Sequence, residues 1–132
     1  MRVRCWAFPE RGGTPRLHMI RQSVFACDLG ALSAEERRRL TTHIAPLLKE
    51  SRREVEELED GYEIRFLDGR QVLPLVAEWL SMEGRCCPFF NLSMWLPAND
   101  GPLTVRITGD EGVKTFILDE LPGIVVPTSG GS

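Results

Sequence analysis

The pattern of apolar and polar residues predicts two β-hairpins. The first has strands at 55–59 and 62–66 joined by Asp60-Gly61, a dipeptide typical of tight hairpin turns because both turn positions need positive φ. Apolar and charged residues alternate in its second strand, so one face should be buried and the other solvated. The second hairpin has alternating strands at 90–96 and 103–108, separated by a loop.

Apolar residues at helical spacing predict three helices. A capping box at Ser33 to Glu36 starts the first helix, and Pro46 should kink it or end it early. The second should follow a cap at 68–71 and begin near Val72 or Leu73, because Pro74 is tolerated only in a first turn. The third should follow a cap at 108–111. The residues expected to face the core are Leu40, Ile44, Leu47, Leu48, Val72, Leu75, Val76, Trp79, Leu80, Val113, Phe116, Ile117 and Leu121.

These elements predict an α+β fold. A strand at Ser23–Leu29 precedes them, so we expect a two-layer sandwich: an antiparallel sheet of two hairpins plus an N-terminal strand, with three helices on one face. Residues 1–21 should form an N-terminal arm, residues 22–121 a single domain, and residues 122–132 a flexible tail. The open sheet face should carry Glu63, Arg65, Asn91, Ser93, Trp95 and Arg106.

Composition narrows the classes of protein to which the chain can belong. Its 132 residues are 42% hydrophobic and 27% charged, which is typical of one soluble domain. A net charge of −3 with interspersed signs argues against nucleic-acid binding. No signal-peptide pattern and no apolar run of about 20 residues occurs. We therefore expect no membrane partner, a cytoplasmic location and reduced thiols.

Two adjacent cysteines, Cys86 and Cys87, are the main candidate for chemistry. They lie where the second predicted helix meets Pro88. Their spacing fits neither a zinc ligand pair nor a C-x-x-C redox site. Neighbouring thiolates suit a soft metal or metalloid ion such as mercury or arsenic. Cys27 is the expected third ligand, provided that its strand lies near the end of the second helix.

Three neighbours of the pair should influence it. Met82 precedes Cys86 by one helical turn and could place a thioether beside the first thiol. Arg85 should favour thiolate, whereas Glu83 should oppose ionisation or accept the proton. Because Pro88 disfavours helix at the preceding residue, we expect the helix to fray and leave backbone groups free near the sulfur atoms.

Two other functions fit the same residues. The cysteines could be core packing in a non-catalytic interaction or dimerisation module that uses the open face, where an exposed Trp95 would mark a homodimer surface. The pair could also act as a thiol redox sensor, which requires a lowered cysteine pKa. Catalysis lacks a base, since His18 and His43 are on other predicted segments.

Four segments resemble a known family. They are Phe25–Leu29, Ala77–Trp79, Arg85–Phe89 and Ile107–Lys114, and they are similar to small uncharacterised bacterial proteins with a Cys-Cys-Pro-Phe motif. Related segments occur beside or fused to mercury- and arsenic-responsive regulators. The resemblance covers residues 23–121, and it implies thiol–metal chemistry. Gly84 departs from the pattern, because the family keeps a longer side chain there, and this raises the question of whether the helix ends before Cys86.

Overall fold

The computed structural model describes residues 28–126 of the chain. In chain order the elements are a 3-10 turn (Leu29–Ala31), α1 (Ala34–Arg39), a π-helical segment (Leu40–Ile44), α2 (Ala45–Ser51), β1 (Arg52–Leu58), β2 (Gly61–Phe66), α3 (Gly69–Cys86), β3 (Asn91–Trp95), β4 (Leu103–Thr108), α4 (Val113–Glu120) and α5 (Pro122–Val125). The predicted N-terminal arm lies outside the described residues, as does the predicted strand up to Cys27. The last residue of that predicted strand, Leu29, is the first residue of the 3-10 turn.

The predicted α+β fold is confirmed. Four antiparallel strands form one open sheet in the order β1-β2-β4-β3, and the two predicted hairpins are β1–β2 and β3–β4. The helices pack on one face of the sheet, α3 against β4 and both α4 and α5 against β2. The core lies between these layers, and its largest fully buried side chains include Trp79, Phe66, Leu103, Ile107 and Ile117.

The first helical region begins at the predicted capping box. Its conformation near Pro46 differs from the predicted one. Ser33 forms the full capping box with Glu36. The helix does not end at Pro46. Instead, a π-helical segment precedes the proline, and the Ala45 N–H bonds to the Leu40 carbonyl five residues back. The wider turn accommodates a residue that has no N–H to donate. Leu47, predicted to face the core, is 36% exposed.

The β1–β2 turn lies one residue earlier than predicted. Glu59 and Asp60 form the turn, and Gly61 already pairs with Leu58 as the first residue of β2. Neither Asp60 nor Gly61 has a positive φ. Glycine is required for a different reason, because a Cβ at position 61 would overlap the backbone carbonyl oxygen of Ile107 on the neighbouring strand β4.

Helix α3 begins three to four residues before the predicted start, although its N-cap lies in the predicted cap segment. Its N-cap, Asp68, adopts a left-handed conformation with φ of 53°, and its carbonyl accepts from the Gln71 and Val72 amides. Gly69 is tightly enclosed, since a Cβ there would lie 2.6 Å from Leu96 Cδ1. Pro74 therefore falls inside the helix, and the prediction that it marks the first turn was wrong.

The C-terminal region is more ordered than predicted. The N-cap of α4 is Gly112, with φ of 95°, rather than a side chain of the predicted cap. The four predicted core residues of this helix are buried. Residues 122–125 form helix α5, whose Ile124 and Val125 are buried, so the predicted flexible tail was wrong for these residues. Residues 127–132 lie outside the described part of the chain.

Arg52, the first residue of β1, connects α5 to the sheet through hydrogen bonds. Its guanidinium donates to three backbone carbonyl oxygens, those of Gly123, Ile124 and Val126, at 3.3, 2.6 and 3.0 Å. These acceptors are carbonyls at the C-terminal end of a helix, where a cation is stabilising. Partial burial lowers the pKa of Arg52 from its usual value. This contact holds the last described residues against the sheet.

Candidate thiol site at the end of helix α3

The two cysteines lie at the C-terminal end of α3, where three backbone hydrogen bonds hold the turn. Cys86 is the last helical residue, and Cys87 is the C-cap, whose N–H donates to the Glu83 carbonyl at 2.7 Å. The Cys87 carbonyl accepts from the Phe90 amide at 3.1 Å, and the Cys86 carbonyl accepts from the Asp28 amide at 2.7 Å. The helix therefore continues through Gly84 and ends at Cys87, as expected before Pro88. Because Pro88 has no N–H, the Gly84 carbonyl lacks the usual backbone donor four residues on.

Both thiols are buried and in contact. Each cysteine is 1% exposed, and neither forms a disulfide. The pKa of Cys87 lies far above its usual value, first because its side chain hydrogen-bonds to Cys86 and then because burial penalises the thiolate. The carboxyl groups of Glu83 and Glu120 raise it further. Cys87 is thus a neutral thiol at physiological pH.

Glu83 is a fully buried carboxyl group beside the thiol pair. One oxygen, Oε2, accepts from the Trp79 indole N–H at 2.9 Å. The other, Oε1, has no hydrogen-bond partner among the described residues. Burial is the largest cause that raises the pKa of Glu83 to about 7; the Trp79 bond opposes it, and Glu120 raises it further. A buried group of this kind is costly for the fold and is a hallmark of functional sites.

Glu120 is the site residue that the sequence reasoning missed. It is 1% exposed and lies on α4, far along the chain from the cysteines. The signal was available, because Val113, Phe116, Ile117 and Glu120 follow i, i+3, i+4, i+7 spacing. That spacing places the glutamate on the buried stripe of its helix. The site therefore combines two thiols from α3 with carboxyl groups from α3 and α4.

The other residues predicted to lie near the thiol pair are Met82, Arg85 and Cys27. Met82 is buried at 3% exposure. Arg85 does not act on the thiols as predicted; its guanidinium binds the Glu36 carboxylate of α1 at 2.9 Å on the surface. Cys27 lies outside the described residues. The backbone N–H of the next residue, Asp28, donates a hydrogen bond to the Cys86 carbonyl.

A charged groove runs between α1 and α3 above this end of the helix. It encloses about 430 Å³, and its lining residues are Glu35, Glu36, Arg39, Glu78, Ser81, Met82 and Arg85. Arg39 and Glu78 form a bidentate pair at 2.5 and 2.9 Å across it. This pairing lowers the pKa of Glu78. The groove joins the surface to buried Met82, one helical turn from Cys86.

The open sheet face is the second surface of note, and it carries the residues predicted for it. Glu63 is buried between two arginines, Arg65 of its own strand and Arg106 of β4 at 2.8 Å. Arg65 also binds Glu54 on β1 at 2.9 Å. Trp95, by contrast, is 65% exposed. This face forms a shallow groove of about 460 Å³.

Within residues 28–126, no three His, Cys, Asp or Glu side chains are arranged to hold a metal ion. The helices of this described part are too short or too polar to cross a membrane. A scan against models of protein families, a search of curated proteins and a search of solved structures each found no match. The resemblance to the Cys-Cys-Pro-Phe proteins stays a prediction.

Proposed function

We propose that the protein binds a soft metal or metalloid ion through the thiols of Cys86 and Cys87, with Cys27 as the third ligand. The observation that carries the proposal is the buried cluster at the end of α3. There, two thiols in contact share a site with Glu83, a fully buried carboxyl group with an unsatisfied oxygen. The resemblance to segments associated with mercury and arsenic regulators supports the same chemistry.

The chain path favours Cys27 as the third ligand. The Asp28 amide is 2.7 Å from the Cys86 carbonyl oxygen. Cys27 is joined to that amide by one peptide bond, and consecutive Cα atoms are about 3.8 Å apart. Three thiols within reach of one another would match the three-sulfur coordination of As(III).

Burial favours ions whose thiolate complexes are neutral, since a buried net charge is costly. Hg(II) with two thiolates is neutral and releases two protons. As(OH)₃ with three thiols gives a neutral tris-thiolate and three water molecules. Cu(I) with two thiolates would instead leave a negative charge beside Glu83. We therefore expect Hg(II) and As(III) to bind in preference to Cu(I).

Native mass spectrometry with Hg(II), arsenite, Cu(I) and Zn(II) tests the proposal. We expect one Hg(II) or As(III) per chain, and at least a 100-fold loss of affinity in the Cys86→Ser, Cys87→Ser double variant. Cys5→Ser is the matched control, and it should bind as wild type does. Wild-type affinity in the double variant would disprove the proposal.

A single variant, Cys27→Ser, separates the two ions. It should abolish arsenite binding, which needs three sulfur atoms, and leave Hg(II) binding to the pair within a few-fold of wild type. If both ions bind normally to Cys27→Ser, Cys27 is not a ligand and the third-thiol element of the proposal is wrong.

The burial of both cysteines also favours a second function, an interaction module in which they serve as core packing. The exposed Trp95 on the open face is the observation behind it. This function predicts no ion binding, and it predicts full activity of a Cys86→Ala, Cys87→Ala variant in partner binding. A redox sensor is less well supported, because the pKa of Cys87 is raised and not lowered.

A further inference from the structure

The two edges of the sheet differ in charge. The edge strand β1 exposes charged side chains along its length: Arg53, Glu54, Glu56 and Glu57. Charges on an edge strand prevent another strand from pairing with it. The opposite edge, β3, has the sequence Asn-Leu-Ser-Met-Trp and contains no charged residue. Among the described strands, charge therefore protects the β1 edge against pairing and leaves the β3 edge without that protection.

Strand β3 also presents apolar side chains to solvent. Met94 is 39% exposed, and Trp95 is the most exposed large apolar side chain among the described residues. Within this part of the chain β3 pairs with β4 alone. Its outer backbone N–H and C=O groups are thus open to another strand, with two apolar side chains beside them.

We propose that β3 of one molecule pairs antiparallel with β3 of a second copy, which joins the two sheets into one of eight strands. Full overlap of a five-residue strand with itself places the twofold axis at its central residue, Ser93. Leu92 of one copy then lies opposite Met94 of the other, and Asn91 opposite Trp95. The interface is isologous, as most homodimer interfaces are.

Charge supports a second copy of this chain at the edge. Because β3 is uncharged, self-pairing brings no like charges opposite one another, although each chain carries a net charge of −3. The nearest charged side chain on the sheet is Arg106, which lies on β4 in register with Ser93. Its two copies would be three strand spacings apart, about 14 Å, which exceeds the Debye length at physiological salt. Each is also neutralised by Glu63.

Desolvation favours pairing at the edge over stacking of the two open faces. Face-to-face contact would bury the network of Glu63, Arg65 and Arg106 together with Glu54 and Glu56. Removal of such ions from water is unfavourable unless the interface pairs each of them fully. Pairing of β3 with β3 leaves the network solvated and still covers part of Trp95.

Disulfide trapping in the full-length chain tests the predicted register. Ser93→Cys places the two introduced thiols opposite each other, within the ~7 Å Cα separation that a disulfide needs. Asn91→Cys is the matched control on the same strand and face; its two copies would be four residues apart along the strand, about 14 Å. We expect at least tenfold more crosslinked dimer for Ser93→Cys, identified by peptide mass spectrometry. Equal yields would overturn the register.

Oligomeric state provides the second test. Sedimentation should show concentration-dependent doubling from 14.9 kDa, and Ser93→Lys or Ser93→Asp should each abolish it. An equimolar mixture of these two variants should restore the dimer, because lysine then faces aspartate. A wild-type monomer at every concentration would overturn the proposal, and would indicate that this chain's N-terminal segment or another protein covers β3. A dimer unaffected by Ser93→Lys would also overturn it.

Discussion

The environment of Glu83 is unusual for a glutamate side chain. Its carboxyl group is fully buried, one oxygen has no hydrogen-bond partner in the described part of the chain, and the pKa is raised to about 7. The usual pKa of 4.5 applies to the unfolded chain. Between these two values the folded protein holds a proton that the unfolded chain has released, so unfolding becomes easier as pH rises.

We predict that Glu83 makes the protein less stable at pH 8 than at pH 5, by about 2–3 kcal/mol. In Glu83→Gln this part of the pH dependence should disappear, because the amide does not ionise and can still accept from Trp79. Urea denaturation at both pH values measures the difference. An unchanged pH dependence in Glu83→Gln would contradict the raised pKa.

Glu78 is the matched control for this experiment. It lies on the same helix, but Arg39 lowers its pKa. The stabilisation it provides is present above pH 4.5 and is lost only as the solution becomes more acidic. Glu78→Gln should therefore leave the difference between pH 5 and pH 8 as it is in the wild type.

Among the elements, β2 depends on the absence of a side chain at its first residue. Gly61 lies against the backbone carbonyl of Ile107, and a Cβ would overlap that oxygen. Backbone atoms in a paired strand cannot move aside as a flexible side chain can. The start of β2 and the end of β4, which pair from Gly61 to Phe66, therefore separate if position 61 is filled.

We predict that Gly61→Ala destabilises the protein by at least about 2 kcal/mol, which is in the range expected for steric overpacking. Gly84→Ala is the matched control, because its Cβ would meet only Leu92 Cδ1 at 3.6 Å. In a helix interior it should stabilise by about 0.5–1 kcal/mol. Urea denaturation compares the two, and equal effects would refute the steric explanation.

Local pattern predicted the elements well, because both hairpins and the capping box at Ser33 depend on neighbouring residues. Glycine at position 61 was predicted because of a positive φ, and that reason was wrong. A side chain is excluded there by the backbone of Ile107, which lies 46 positions later in the chain. The start of α3 was missed for a similar reason, as Gly69 is enclosed by Leu96. The thiol pair was identified from adjacent residues, but Glu120 joins the site only through the packing of α4.

For the whole molecule, burial of the thiol pair means that an ion can reach it only when the structure opens. The two cysteines are 1% exposed, and the Arg39–Glu78 and Arg85–Glu36 pairs cross the groove between α1 and α3. Local opening of this kind has its own free energy and rate. At high ion concentration the rate of ion binding should therefore be set by the rate at which the structure opens.

We predict that the rate at which an organomercurial reacts with the pair reaches a plateau as its concentration increases. The experiment uses the Cys5→Ser, Cys27→Ser variant, in which only Cys86 and Cys87 can react, and stopped-flow absorbance. The same variant unfolded in guanidinium is the control, and its rate should increase linearly. A linear increase in the folded protein would show that the thiols are accessible without opening.

The contact between Arg52 and α5 has a consequence for the order of folding. Its donor and acceptors are 71 to 74 residues apart in the chain. Closure of a loop of that length costs about 4 kcal/mol of chain entropy, far more than closure of the two-residue turn between β1 and β2. We therefore expect the hairpins to form early and α5 to dock after the intervening sheet has brought its carbonyls to the guanidinium. The last described helix should then be among the last parts of this region to assemble.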